Sequence, residues 1–489
     1  MITMNNKART IITTDGEVDD MNSFLRYLLY SDCFDTEGIV LTSSVYHYAG
    51  DLAKDIEPYR WTGTEWINEF IDLYAKVYPN LKIHAEDYPS PEYLKSIYYI
   101  GNIDSPGEMT KETEGSKFIE DYLMNDEDPR KLYIQTWGGT NTTARALKSI
   151  EEKYAHQPDW QAIKERIEKK VIIYIILDQD VTYSEYIEKN WSIEVINDRF
   201  NFWYFAYAWK MVESQLATRL QPKWQLNLRD NHGPLLKKYA LIGDGNVLEG
   251  ELEEEQRGID RYLEKNPDYA RFDFISEGDS PSYFYFLNNG LRNSDDPSYG
   301  GWGGRFEKVA GARKYINSAM DYNPYNQRYE AQYTLTRWFD DIQDDFKGRA
   351  AWCVAETYDE AAHYPIVSIK KGNDQQVTPG ETVQIQAKAF DPNQRDLAFK
   401  WWHYFEASTY QTAPVPTGAE FESMGLLFGK VSEKLAKPPV DPIKLVRENT
   451  ETVEVKIPEN IQSGQTIHLI LEVTNGTLTT YQRVILIAK

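Results

Sequence analysis

Cysteine is scarce: Cys33 and Cys353 are the only two in 489 residues and lie far apart, so cysteine usage does not decide the redox compartment. Long apolar runs are missing as well. No window approaches the roughly 18 to 20 consecutive apolar residues of a membrane span, and the opening MITMNNKARTII has no apolar signal-peptide core. That excludes a spanning helix from the reading, and a membrane partner with it. Positive charge is in deficit, with 53 Lys and Arg against 76 Asp and Glu and a formal charge of −23. Affinity for nucleic-acid polymers is carried largely by cations neutralising phosphates, so this balance argues against such a partner and favours a neutral or cationic ligand. Internal repeats and low-complexity tracts are absent too.

Aromatic residues are abundant, 14% of the chain with 35 Tyr and 13 Trp. That is too many for disorder and suits stacking on the flat faces of sugars or bases, although most are expected in the core. At this length two or more domains are expected. In the first two thirds, RTIITT and EGIVLTSS read as strands flanking the helix DMNSFLRYLLYS; KLYIQTW precedes the helix TTARALKSIEEKY, and KKVIIYIIL is apolar throughout. Continuous Val/Ile runs suit parallel strands buried on both faces, so the predicted fold is α/β, a mainly parallel sheet with helices on both sides. After about residue 362, period-two alternation broken by Pro-Gly, Asp-Pro and Asn-Gly turns predicts an all-β immunoglobulin-like sandwich. The expected domains are 1–364 and 365–489, the second interrupted by a Pro- and Lys-rich insertion at about 412–448. In KWWHYF, Trp401 and Trp402 alternate across a strand, which puts one in the sandwich core and the other outside or at an interface.

The stretch TTDGEVDDMNSF crowds Asp15, Glu17, Asp19 and Asp20 into six positions between the first strand and the first helix. A helix N-terminus accounts for one or two such acids. Four repel one another unless something positive sits among them, and a hard divalent cation held by oxygen ligands is the usual neutraliser. Ligands in open α/β sheets sit beyond the carboxyl ends of the strands. Ser43 and Ser44, WGGTNTT at 137–143 and DQD at 178–180 follow strands in this way, and FISEGDSPSYF adds Glu277 and Asp279 farther along.

These motifs, in this order, resemble the calcium-dependent inosine-uridine nucleoside hydrolases, whose opening D-P-G-x-D-D is similar to DGEVDD. The resemblance is greatest to the bacterial nucleoside-hydrolase-like proteins labelled cellulose-binding, which append a β-sandwich, and it runs along nearly the whole chain. It implies Ca2+ as cofactor, held by Asp15, Asp20, Asp279 and the main-chain carbonyl of Asn141, with Asp15 also activating the attacking water. Asp19 would hydrogen-bond a ribose-like hydroxyl, and Glu17 and Asp180 would join it in binding the sugar. The chain departs from the family at Gly278, where nucleoside hydrolases carry the His that protonates the leaving base, and at LTSSVYHY, where Ser replaces the ribose-binding Asn. Glu277, His232 and His47 are the candidates for the missing acid, with His232 slightly ahead because NHGPL reads as a turn entering a helix. For Trp302 in YGGWGGRF, a carbohydrate-stacking loop is weighed evenly against packing at the domain interface.

The resulting expectation is a calcium-dependent hydrolase of glycosidic bonds in a furanose-containing or other saccharide, with a free nucleoside less favoured. The alternative is a non-catalytic carbohydrate-binding (cellulose-binding) protein that uses calcium to chelate sugar hydroxyls. Partners are then small saccharides, glycans or nucleosides, with self-association into a homo-oligomer left open. A periplasmic or extracellular location is expected, with the export signal outside this chain.

Overall fold

A computed structural model describes residues 7–416 and 443–489. Eight strands form one sheet: β1 Ala8–Thr14, β2 Phe34–Leu41, β3 Tyr98–Ile100, β4 Leu132–Thr136, β5 Val171–Ile176, β6 Glu194–Asp198, β7 Glu307–Lys308 and β8 Lys314–Ile316. Their order is β3-β2-β1-β4-β5-β6-β8-β7, parallel throughout except for β7 against β8.

Successive side chains of a strand point to opposite faces, and here both faces are apolar. Ile12 of β1 and Ile172, Tyr174 and Ile176 of β5 enter one core, together with residues of α1 (Val18–Tyr30) and α2 (Trp66–His84). Ile11 and the alternate residues Val171, Ile173 and Ile175 enter the other, under the helices Glu114–Met124, Asn141–Tyr154 and Trp160–Lys170. The unbroken Val/Ile runs are thus explained by burial on two sides. Chain order reverses at β1, which has β2 on one flank and β4 on the other. The connections leaving β1 and β4 therefore part, and open a crevice beyond the carboxyl ends of these strands.

The short pair β9 (Asp321–Asn323) and β10 (Arg328–Glu330) precedes the sandwich. One of its two four-stranded sheets holds β11 (Ile366–Ile369), β13 (Thr382–Phe390), β15 (Leu445–Val446) and β16 (Thr452–Lys456). The other holds β12 (Asp374–Val377), β14 (Ala398–His403), β17 (Thr466–Thr474) and β18 (Thr479–Ala488). All pairings are antiparallel except β12 with β18. Trp401 lies in the sandwich core, while Trp402, on the opposite face, packs against Trp338 of the α/β part. Of the insertion expected at 412–448, residues 417–442 lie outside the described residues. Among the described residues no helix is long and apolar enough to cross a membrane.

The sandwich and the α/β part share a core. Tyr404, Ile470, Leu478 and Tyr481 belong to the same apolar cluster as α1 and α2. The β18 backbone pairs with the segment before it: Tyr481 N–H donates to Asn289 O at 3.2 Å and Arg483 N–H to Gly290 O at 3.0 Å. Arg483, fully buried, donates through its guanidinium to Leu291 O and Gly300 O, each at 2.7 Å. Tyr404 Oη donates to Asp321 at 2.6 Å, a carboxylate that Arg305 and Arg337 also reach. Trp302 sits in this seam, 2% exposed and edge-on to Phe284 and Tyr481. Its ring has no face free for a sugar, so of the two readings weighed evenly for this loop interface packing is the one found, and Trp302 is removed from the sugar-binding residues.

Candidate functional site

After Thr14 the chain must leave the sheet and start α1 within three residues. Gly16 makes this turn at φ +85°, and a Cβ there would lie 2.6 Å from Thr62 Oγ1, so glycine serves both the left-handed backbone and the close approach. Asp15 is thereby fixed at the strand end, with Asp19 and Asp20 in the first turn of α1, where its unpaired N–H groups favour anions. Asp20 accepts hydrogen bonds from the Thr14 hydroxyl and, at 3.2 Å, from Asp15 N–H. Asp279 arrives from far along the chain as the residue preceding the helix Ser280–Phe286.

Oxygens of Asp19, Asp20 and Asp279 lie within 4.8 Å of one another, and so do oxygens of Asp15, Glu17 and Asp20. Asp15 is fully buried with neither carboxylate oxygen hydrogen-bonded, and Asp279 Oδ2 is likewise buried without a partner. Burial and the neighbouring carboxylates of Asp15 and Asp19 push Asp20 well above the usual range; burial and then Asp20, Asp19 and Asp15 do the same to Asp279. Buried oxygens without donors on Asp15 and Asp279, brought to either side of Asp20 from two distant chain segments, are a donor set that fits a hard divalent cation such as Ca2+.

At the rim, burial and then the Asp15 carboxylate raise Glu17 to about 8, and burial followed by Glu17 and Asp15 raises Asp19 to about 7. Both exceed their ordinary values of 4.5 and 3.8, so the folded chain holds protons that the unfolded chain releases. That contribution to stability is complete below the ordinary values and is lost as pH rises through about 7 to 8. Chelator-treated protein is therefore expected to melt at progressively lower temperature between pH 5 and pH 8, and calcium is expected to restore the loss at pH 8 more than at pH 5. Melting curves at matched ionic strength test this; a pH-independent melting temperature would contradict it.

Glu17 also faces Arg60 at 3.4 Å, and Arg60 pairs with Glu251 and Glu255. His47 Nε2 lies 3.7 Å from Glu17; its ring is fully buried, neither nitrogen is hydrogen-bonded, and burial lowers its pKa. Above the acids is a cavity of about 250 Å³, walled by Trp137, Gln179, Trp203, Tyr207 and Arg257 among others. Nothing in the sequence marks Arg60, Arg257, Trp203 or Tyr207, and Gln179 is the middle residue of the DQD turn, next to the expected Asp180.

Asp15, Glu17, Asp19, Asp20 and Asp279 thus come together, and besides Trp302 four expected residues do not join them. Asp180 is spent as a cap: its carboxylate accepts from Asn141 N–H at 2.9 Å and from Thr182 N–H and hydroxyl at 3.0 and 2.7 Å, while its neighbour Gln179 lines the cavity. Asn141 is the first residue of the helix Asn141–Tyr154, so its carbonyl points along that helix and away from the crevice, and its side chain ties Thr42, Ser43 and Asn102 together. Glu277 forms a fully buried ion pair with Arg26 at 2.5 Å and accepts from Tyr239 and Ser280, which leaves it no role as an acid toward substrate. His232 ends the helix Pro222–Asn231, bonded to Leu228 O at 2.7 Å, beside a glycine packed near Val77 and Val354; it does not line the cavity. Of the three acid candidates only His47 is at the site.

Gly278 explains why the family's histidine is missing. A Cβ there would lie 2.7 Å from Asp19 Oδ2 and 3.2 Å from Ala206, so no side chain fits without displacing the acid. Gly278→His is accordingly expected to weaken calcium uptake by tenfold or more and to confer no nucleosidase activity, read by calorimetry and by release of free base. Unchanged calcium affinity would show that Asp19 tolerates the intrusion.

Residues 9–306 match the family described as "Cellulose-binding Sde182, nucleoside hydrolase-like domain", and residues 382–488 match "Cellulose-binding protein Sde0182, C-terminal domain". Among solved structures the chain is similar to a nucleoside hydrolase-related protein from Saccharophagus degradans associated with carbohydrate metabolism. The two are 23% identical over 99% of this chain and 100% of that one, with a TM-score of 0.69. A purine-preferring ribonucleoside hydrolase from Gardnerella vaginalis is 12% identical over 70% of this chain and 99% of its own, with a TM-score of 0.32, too low to support an argument. No curated protein matches the chain.

Proposed function

Because the chain belongs to the family of cellulose-binding Sde182 proteins with a nucleoside hydrolase-like domain, we propose that it is a calcium-dependent hydrolase of glycosidic bonds acting on a saccharide. Asp15 carries this reading: a carboxylate buried at the strand end, with both oxygens unpartnered, performs no structural task that would explain its desolvation. Asp15, Asp20 and Asp279 would hold the ion, with Asp19 beside them. Bound calcium would neutralise these acids and polarise the oxygens it draws in.

The chain's own groups supply the rest. Asp15 accepts the proton of the water that attacks the anomeric carbon, the glycosidic bond breaks, and the departing oxygen takes a proton from Glu17, the raised carboxyl at the cavity rim. Asp19 accepts a hydrogen bond from a ring hydroxyl. Carboxylates beneath the ring favour the positive charge of an oxocarbenium-like transition state. His47 packs behind Glu17, its Nε2 3.7 Å from that carboxyl. Screening nucleosides, aryl furanosides and plant-type oligosaccharides with calcium and with chelator tests the proposal: calcium-dependent release of free sugar supports it. The absence of an acid side chain at Gly278 favours a second reading, a binder that uses calcium to hold sugar hydroxyls, which saturable binding with no product would select.

A further inference from the structure

We propose that the cavity admits a single terminal sugar ring, and that Trp203 and Tyr46 at its mouth stack on the next ring, so that the protein recognises the ends of saccharide chains and not their interiors. This rests on the reading of the site as a saccharide site.

Size comes first. At about 250 Å³ the cavity is smaller than the roughly 300 to 1,000 Å³ of pockets for drug-sized ligands, enough for one ring with its hydroxyls. Its walls come from the segments after β1, β2, β4, β5 and β6, from residues 255–257 and from Asp279, so that five strand ends converge on one ring-sized space. The loop after β2 is stiffened by backbone bridges between Tyr48 and Tyr59 and between Asp51 and Ile56, and its Arg60 is tied to Glu251 and Glu255.

The interior is polar where a sugar needs it. Gln179 spends its amide N–H on Trp137 O at 2.6 Å and Ile176 O at 2.9 Å, which leaves its buried Oε1 without a donor. That oxygen, with Asp19, accepts from ring hydroxyls. The mouth is aromatic. Trp203 is 36% and Tyr46 37% exposed, whereas Trp137 and Phe202 in the same wall are 1% and 4% exposed. Exposure of Trp203 does not come with looseness: its ring leans on Phe202 at 4.8 Å and Tyr207 at 6.1 Å. The turn that carries it is held by Asp198, which accepts from Asn201 N–H at 3.0 Å and Phe202 N–H at 3.2 Å. A rigid, half-exposed indole beside a ring-sized acidic pocket is what stacking on a second sugar requires.

The test is calorimetry on the full chain in saturating calcium, with cello-, xylo- and arabino-oligosaccharides of one to six residues and with inosine and uridine. The expected result, for one sugar series, is affinity that rises about tenfold from one residue to two and then stays level to six, with Trp203→Ala removing that gain, so that the variant binds two to six residues no more tightly than it binds one. Affinity climbing steadily to six residues, or a dimer gain that survives Trp203→Ala, overturns the chain-end proposal while leaving a saccharide site standing. Nucleosides binding as tightly as disaccharides and with the same dependence on Trp203 would put a base on the indole and overturn it as well. Binding by no saccharide defeats the underlying reading and this one together.

Discussion

In Asp15→Asn, turnover of any glycoside that the parent chain cleaves is expected to fall by about 10²- to 10⁴-fold with calcium in excess, the typical loss when a general base is removed. Asparagine keeps the size of the side chain and one acceptor oxygen but cannot take a proton. Both Asp15 oxygens are unpartnered and the residue is fully buried, so the fold itself is expected to tolerate the change or to gain from it, because a carboxylate crowded by Glu17, Asp19 and Asp20 becomes neutral. That combination, lost rate with retained or raised melting temperature in the absence of calcium, separates a functional carboxylate from a structural one. Asp20→Ala supplies the contrast: it removes an acid that accepts from Thr14 and from Asp15 N–H, so calcium uptake and local order should both suffer. An Asp15→Asn protein that turns over substrate within a few-fold of the parent would remove Asp15 from the chemistry.

The acids of this site are legible in the sequence because they follow simple local rules. Asp15, Asp19 and Asp20 come directly after an apolar β-branched strand and open a helix, and Asp279 lies beside a Ser-Pro helix start. The DQD turn defeats the same reasoning by one residue. Leu177 and Val181, on either side of it, adopt left-handed backbone at φ +61° and +58°, which side-chain alternation does not anticipate, least of all at a β-branched residue. The turn therefore points Gln179 into the cavity and Asp180 onto a helix N-terminus. Arg60 is hidden for a related reason: it has φ +50° in an aperiodic loop, where nothing marks which side chain turns inward.

Trp203 and Tyr207 escape the sequence one step earlier. Their turn follows β6, whose sequence EVIND carries two acids and an amide and does not read as a buried strand beside VIIYII of β5. Once β6 is recognised, the rule that ligands sit beyond strand ends picks out NFWYFAY directly. The all-β texture of the tail was equally plain, since alternation and turn residues are local. How tightly the tail is joined was not, because Arg483, Tyr404 and Trp302 have distant partners.

That junction makes a chain cut after residue 364 an informative variant. The sandwich contributes no residue to the described cavity, so an accessory module would be expected to come away cleanly. The packing predicts otherwise. Removing residues 365–489 uncovers Trp302 and Trp338, both 2% exposed in the whole chain, and strips Asn289, Gly290, Leu291 and Gly300 of their partners on β18 and Arg483. Two indoles at about 200 Å² each and about 25 cal/mol per Å² amount to an upper value of about 10 kcal/mol, comparable to the entire 5 to 15 kcal/mol that stabilises a typical domain. Asp321 also loses Tyr404 while keeping Arg305 and Arg337, so the buried charge is left short of a donor it uses at 2.6 Å. The 1–364 fragment is therefore expected to be insoluble, or soluble only as a species that binds hydrophobic dye and lacks a cooperative melt. Loss of calcium binding should follow from unfolding, since Asp279 reaches the site through the helix Ser280–Phe286, whose Phe284 packs on Trp302. A fragment that melts cooperatively near the temperature of the whole chain and still binds calcium would show the seam to be dispensable and the sandwich to be an independent module.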